Sequence, residues 1–296
     1  MINRREFLGF SGATALASAI PALALESDKI VPRLIPGTDE ALPIIGLGNS
    51  SSFRESDLTA AADLLDIFLE HGGGYVDVGG VSRMSVGTIA QSRDAQDKIF
   101  FGNYIDPKGH GAMRSEIANV AAGQGKPALD LVHTRNLNGY RENHDFYLKL
   151  KEEGLVRYIG IARSGAQNFD AIGRLVKDGL VDFIQVNYSL VEPEAAERLL
   201  PFAADNGVAV NINRPFINGR YFGMIRGMQL PAWAAEFDCN SWAQFSLKFI
   251  VANPAVNCVL TETADPAHAI DNLGAGFGSL PDLATQKKML ALIQDI

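Results

Sequence analysis

Eight short apolar runs recur along this chain at near-even spacing, and amphipathic segments separate most of them. The runs are Ile44–Leu47, Tyr75–Val78, Ile99–Asn103, Leu129–Thr134, Tyr158–Ala162, Phe183–Asn187, Val208–Asn211 and Val256–Leu260. Each has the length of a buried strand and is rich in Val, Ile, Leu or Phe. The amphipathic segments are Asp57–His71, Met113–Gln124, Asn143–Glu153, Ala166–Asp178, Glu194–Asn206, Ser241–Ala252 and Pro266–Leu273, with a shorter helix candidate at Ser85–Gln91. Several stop at a glycine, as in His71-Gly72, Glu153-Gly154, Asp178-Gly179 and Asn206-Gly207, the residue suited to a left-handed helix end. Strand-then-helix repetition without a linker or a composition break predicts one α/β domain, a (β/α)8 TIM barrel over residues 25–296. A doubly wound nucleotide-binding sheet fits less well. Gly46-Leu47-Gly48 is not continued by the spacing that a phosphate-binding glycine loop needs.

The first 24 residues read differently. Paired arginines, Arg4-Arg5, precede Phe7-Leu8, an apolar Ala/Gly/Ser-rich run continues to Leu23, and Ala22-Leu23-Ala24 fits a small-x-small cleavage site. This is the pattern of a twin-arginine signal peptide. It implies the twin-arginine export machinery as a partner, passage across the membrane in folded form, and a periplasmic or otherwise exported location. The run is too short to anchor the protein in a bilayer, so no stable membrane insertion is expected. A formal net charge of −8 with no basic stripe argues against nucleic-acid binding. Cys239 and Cys258 are the only cysteines. Pairing after export and two separate buried thiols both remain open. No Cys/His cluster has metal-ligand spacing.

In such a barrel, function gathers where strands end and loops begin. The rim positions here are polar, among them Asn49, Asp77, Ser82, Tyr104, Arg135, Arg163, Gln185, Asn213 and Arg214. Solvated loops are polar anyway. An acid, arginines, a tyrosine and amides converging on one mouth nevertheless suit a small polar or anionic molecule.

Several segments carry a resemblance. Ile35-Pro36-Gly37-Thr38 through Gly46-Leu47-Gly48, Tyr158-Ile159-Gly160-Ile161, Gln185-Val186-Asn187-Tyr188-Ser189, Asn213-Arg214-Pro215-Phe216, Ser241-Trp242-Ala243-Gln244-Phe245 and Asp271-Asn272-Leu273-Gly274-Ala275 follow in order. Together they resemble the bacterial aldo/keto reductases, across almost the whole chain after the leader. The resemblance implies carbonyl reduction with a nicotinamide cofactor. In the family a tyrosine donates the proton, a lysine paired with an aspartate lowers that tyrosine's pKa from ~10, and a histidine orients the carbonyl. Matched to this chain, the aspartate is Asp77, but Ser82 stands for the tyrosine, Tyr104 for the lysine and Arg135 for the histidine. For the cofactor, the resemblance implies Gln185 at the carboxamide and Tyr188 stacked on the nicotinamide ring, with Arg214 and Asn272 as further contacts. After the last strand, Thr261-Glu262-Thr263-Ala264-Asp265 is acidic where the family surrounds a 2′-phosphate with small polar and basic groups, which weakens the case for NADP.

Two roles are open for the altered positions. Tyr104 is a relocated acid/base tuned by the Arg135 guanidinium, or Asp77 and Arg135 form the ion pair and Tyr104 fills space. His133, two residues before Arg135 on the same strand face, is expected to point inward as a satisfied core histidine. Two functions stay open in turn: an exported oxidoreductase carrying NADP or a related cofactor, and a non-catalytic binding or scaffolding barrel for a small anionic ligand.

Overall fold

The structure, a computed structural model, describes residues 30–296; the proposed leader, residues 1–24, lies outside them. The strands are β1 (Pro32–Leu34), β2 (Ala41–Pro43), β3 (Ile45–Leu47), β4 (Tyr75–Val78), β5 (Phe100–Tyr104), β6 (Leu129–Thr134), β7 (Val156–Ala162), β8 (Phe183–Asn187), β9 (Ala209–Asn213) and β10 (Cys258–Thr261). The α-helices are α1 (Thr59–Glu70), α2 (Ser82–Ser92), α3 (His110–Gly123), α4 (Leu137–Glu142), α5 (His144–Glu152), α6 (Phe169–Lys177), α7 (Leu199–Asp205), α8 (Arg220–Met224), α9 (Trp242–Val251), α10 (Pro266–Gly274) and α11 (Leu283–Gln294).

Strands β3 to β10 close into a parallel barrel in chain order, with β10 returning to β3. This is the (β/α)8 barrel, and each of the eight apolar runs supplies one of its strands. Two strands run further than their hydrophobicity indicates: β5 reaches Tyr104 and β9 reaches Asn213. Both ends are polar because they face the mouth. The short helices α4 and α8, the C-terminal helix α11 and the hairpin of β1 and β2 are elements that the alternating pattern did not foretell.

Alternation along the strands sorts side chains into the barrel or outward against the helices. Tyr75, Phe100, Leu131, Phe183, Cys258 and Leu260 form one buried cluster, and the hairpin residues Ile35 and Leu42 pack into it. Since β2 leads directly into β3, this hairpin closes the base of the barrel, opposite the mouth. Phe100 lies 5.2 Å from Tyr75 edge to face and 6.0 Å from Phe183. The larger cluster, with Leu64, Leu65, Phe68, Phe245 and Ile250, lies between strands and helices. A cation anchors each of two loops there, Arg33 half-buried and Lys248 buried. Arg33 donates to the carbonyls of Val251, Asn253 and Val256 beneath α9. Lys248 donates to Phe277 O at 2.6 Å and Ser279 O at 3.0 Å, which satisfies an ammonium that burial would otherwise make costly.

Cys239 and Cys258 are free, buried thiols in this structure. No helix among the described residues is long and apolar enough to cross a membrane. No group of His, Cys, Asp or Glu among them is arranged to hold a metal ion.

Candidate functional site

The mouth is built by strand register. Asp77 pairs with Gly102, and Tyr104 pairs with His133. The pleat therefore turns Asp77, Tyr104, His133 and Gln185 inward in one layer, while Asn103 points outward and bonds Gln124 at the end of α3. Gln185 donates to Tyr104 Oη at 2.9 Å and to Asp77 Oδ2 at 3.1 Å. His133 Nε2 lies 2.9 Å from Asp77 Oδ1, and its ring packs against that of Tyr104 with centroids 4.2 Å apart. Beneath them, Asn211 donates to Tyr75 Oη at 2.9 Å, and Tyr75 Oη lies 3.5 Å from Asp77. Asp77 is thus surrounded by polar groups, with no lysine or arginine among the described residues at hydrogen-bond distance.

Electrostatics follow from that arrangement. Burial pushes the Tyr104 hydroxyl well above its ordinary pKa, and Asp77 pushes it further; Gln185 and Arg135 oppose only weakly. Tyr75 is raised by burial and then by Asp77, Cys258 and Tyr104. Both phenols therefore keep their protons when folded, whereas in the unfolded chain they ionise near ~10. A raised folded pKa contributes stability that is complete below the unfolded pKa and is lost as pH climbs above it. The protein is expected to lose stability steeply above pH ~10, by up to ~1.4 kcal/mol per pH unit for each such tyrosine. Urea unfolding between pH 8 and 11 measures that slope. Tyr104→Phe should flatten it by about one proton; an unchanged slope would show that Tyr104 is not held protonated.

Several expectations need correction. Asp77 and Arg135 do not pair. Arg135 turns out of the mouth, with its side chain 61% exposed, and its Nη2 binds Asp106 Oδ2 at 2.8 Å. Asp106 Oδ1 also accepts from the Arg135 backbone N–H at 3.1 Å, so a residue just past β5 pulls the whole position outward. Nor does Arg135 tune Tyr104 as an acid/base. Its guanidinium carbon stands 5.5 Å from the centre of the Tyr104 ring, and burial with Asp77 outweighs it. Tyr188 does not line the mouth: it lies past the end of β8, is buried, and packs against Phe249 of α9 at 5.4 Å.

The other candidates fall as follows. Ser82 begins α2, fully buried, with a hydroxyl that has no hydrogen-bond partner among the described residues. Arg214 lines the mouth with a left-handed backbone, φ 53°, and reaches Glu192 at 3.7 Å. Asn272 is buried and lines a neighbouring cavity. His133 does point inward, but among the described residues neither ring nitrogen has an aligned hydrogen-bond partner, the Asp77 contact being off-axis. Its spacing, two residues before Arg135, was the sequence signal for this place.

The mouth itself is a cavity of about 610 Å³, walled by Asn49, Asp77, Tyr104, Gln185, Asn213, Arg214, Phe216 and Glu262 among others. A second cavity of about 300 Å³ holds Ser241, Trp242, Thr263, His268, Asp271 and Asn272. Phe216 and Glu262 line both, so the two form one trough from the barrel centre to the start of α10. Burial raises the pKa of Glu262, with Asp77 adding and Arg54 opposing. A third cavity, about 710 Å³, lies beside the mouth and contains Arg135 and Arg163 with Asp106. The expected cluster of Arg135, Arg163 and Asp77 is therefore divided between two cavities.

The family model for the aldo/keto reductase family matches residues 126–286, more than half of the chain. The chain belongs to the aldo/keto reductase family. It is 35% identical over 86 residues to the NADH-specific methylglyoxal reductase of Escherichia coli (strain K12), a stretch covering 29% of this chain and 26% of that enzyme. The match thus spans about a quarter of that relative's length. Aldo-keto reductase AKR11C1 from Bacillus halodurans, in its holo form, superposes with a TM-score of 0.71 at 18% identity, covering 89% of this chain and 96% of that one. An aldo/keto reductase from Klebsiella pneumoniae in complex with NADP and acetate gives a TM-score of 0.72 at 20% identity, over 88% and 94% of the two chains. At such identities the likeness establishes the shared barrel. In this aldo/keto reductase, Asp77 and Gln185 meet at the mouth beside Tyr104 and His133.

Proposed function

We propose that this chain is an exported oxidoreductase of the aldo/keto reductase family that holds a nicotinamide dinucleotide in the trough between the barrel mouth and α10. The observation that carries this reading is the continuity of the trough, joined through Phe216 and Glu262. The residues fit such a group at both ends. Gln185 is 2% exposed and its Oε1 has no partner among the described residues, so a buried acceptor is left for a carboxamide N–H. Phe216 offers an aromatic face in the middle, and Ser241 and Asn272 offer polar contacts at the far end. When bound, a nicotinamide supplies or accepts a hydride. The protein's own part is to orient it, exclude water and present the protonated Tyr104 hydroxyl to the mouth.

The far end suits NAD better than NADP. Its lining has Glu262 and Asp271 and no lysine or arginine. A carboxylate accepts from a ribose hydroxyl but repels a phosphate dianion. The name of the Escherichia coli relative, NADH-specific, agrees with this preference. Trp242 lies in the same lining and reports directly. Titrating the purified chain with NADH should quench tryptophan emission to saturation, with NADPH requiring ~10-fold more, about 1.4 kcal/mol. No saturable quenching by either up to millimolar concentration would sink the reading.

The folded-export route suits an enzyme that must carry its cofactor with it. The alternative, a binding barrel without turnover, draws support from the replacement of the family's proton-donor machinery by Ser82, Tyr104 and Arg135. Saturable quenching without oxidation of NADH by any carbonyl compound would favour it.

A further inference from the structure

The third cavity is not part of the trough. It lies between the loops that follow β6 and β7, which are neighbouring strands with Thr134 opposite Ile161. That register brings Arg135 and Arg163, each the first residue past its strand, to adjacent positions on the rim. The Arg163 backbone N–H is held by Gln185 O at 2.9 Å. Its exposed side chain has no ion-pair partner among the described residues. Arg135 is steered by Asp106 so that its guanidinium stands over the Tyr104 ring. Asn136 gives its Oδ1 to the Gly139 N–H at 3.0 Å, and its amide donors stay unpaired among the described residues.

We propose that this cavity binds the carboxylate of a small monoanionic acid. Two guanidinium forks match a carboxylate bidentately, and this cavity of about 710 Å³ sets Arg135 and Arg163 against Asp106 as the one acid in its lining. Asp106 offsets one of the two positive charges, so the cavity is matched to a monoanion rather than to a phosphate dianion. Arg135 is the link to the mouth, because the ring it covers belongs to Tyr104, which lines the trough. A molecule held by its carboxylate at Arg135 and Arg163 sits on the cavity side of the guanidinium that contacts that ring. Resting on the function proposed above, the substrate class is a carbonyl compound that also bears a carboxylate, an oxo acid.

The test uses calorimetric titration of the full chain with pyruvate, with its uncharged methyl ester, and with inorganic phosphate, all without any nicotinamide. Pyruvate should bind saturably, with the ester and phosphate each weaker by ~10-fold or more. Arg163→Gln and Arg135→Gln should each weaken pyruvate by a similar factor. Both side chains are exposed, so thermal unfolding of the variants should stay near that of the parent. Equal binding of pyruvate and its ester, no saturable binding at millimolar pyruvate, or an unaltered affinity in Arg163→Gln would overturn the proposal. Phosphate binding tighter than pyruvate would overturn the assignment to a carboxylate. Because no dinucleotide is present, failure here leaves the NADH titration standing, and failure there leaves this one standing.

Discussion

Phe183→Ala is expected to lower stability by about 3–5 kcal/mol, the range for removing a large ring from a packed core. Phe183 is 1% exposed at the base of the barrel. Its ring lies 6.0 Å from that of Phe100 and 5.4 Å from that of Tyr158. Closure leaves these neighbours little room to collapse into the gap. The strands cannot approach further without breaking their ladder, and the hairpin residues Ile35 and Leu42 already occupy the space below. Urea unfolding at neutral pH gives the measurement. A loss under ~1 kcal/mol would mean that the base repacks freely, against the ordinary behaviour of dense interiors. The layer above should survive, because Gln185, two residues on, keeps its bonds to Asp77 and Tyr104. NADH quenching is therefore expected to persist in the folded variant.

Gly102→Ala should do the reverse. A Cβ at this position would lie 2.2 Å from Asp77 Oδ1 and 2.8 Å from Tyr75 Oη. Neither neighbour can yield easily: Asp77 has a short side chain, and the Tyr75 hydroxyl is tied to Asn211. Overpacking of this kind costs about 1–3 kcal/mol. The larger effect falls on the site, since Asp77 must move and the bonds from Gln185 move with it. Saturable NADH quenching should weaken by ~10-fold or more while the chain remains folded. Undiminished quenching in this variant, set beside its loss in Phe183→Ala, would invert the assignment of the two layers.

How much of this was legible in the sequence differs from layer to layer. The barrel was, because buried parallel strands are continuous apolar runs and this chain separates them with helix stops that the structure uses. Gly154 and Gly179 adopt φ of 69° and 66° just past α5 and α6, as the Glu153-Gly154 and Asp178-Gly179 pairs lead one to expect. The inward aim of Asp77, Tyr104 and Gln185 was also legible from alternation along their strands.

Alternation fails where a strand ends. Tyr188 follows the last residue of β8, and there the chain is free to turn its ring onto Phe249 instead of into the mouth. Arg135 was misplaced for a different reason. Its partner Asp106 is 29 residues away in a loop, and nothing local to either residue announces their meeting. The trough depends on Phe216 and Glu262, from loops after different strands, so their joint role appears only once the barrel has closed.

The hairpin of β1 and β2 has a consequence for handling the protein. The Ile30 N–H is bonded to His71 O at the foot of α1, so the described chain starts at the floor of the barrel. The full height of the strands separates Ile30 from the opening. An affinity handle or a surface linkage placed on that side leaves small molecules a clear route to Tyr104 and Gln185.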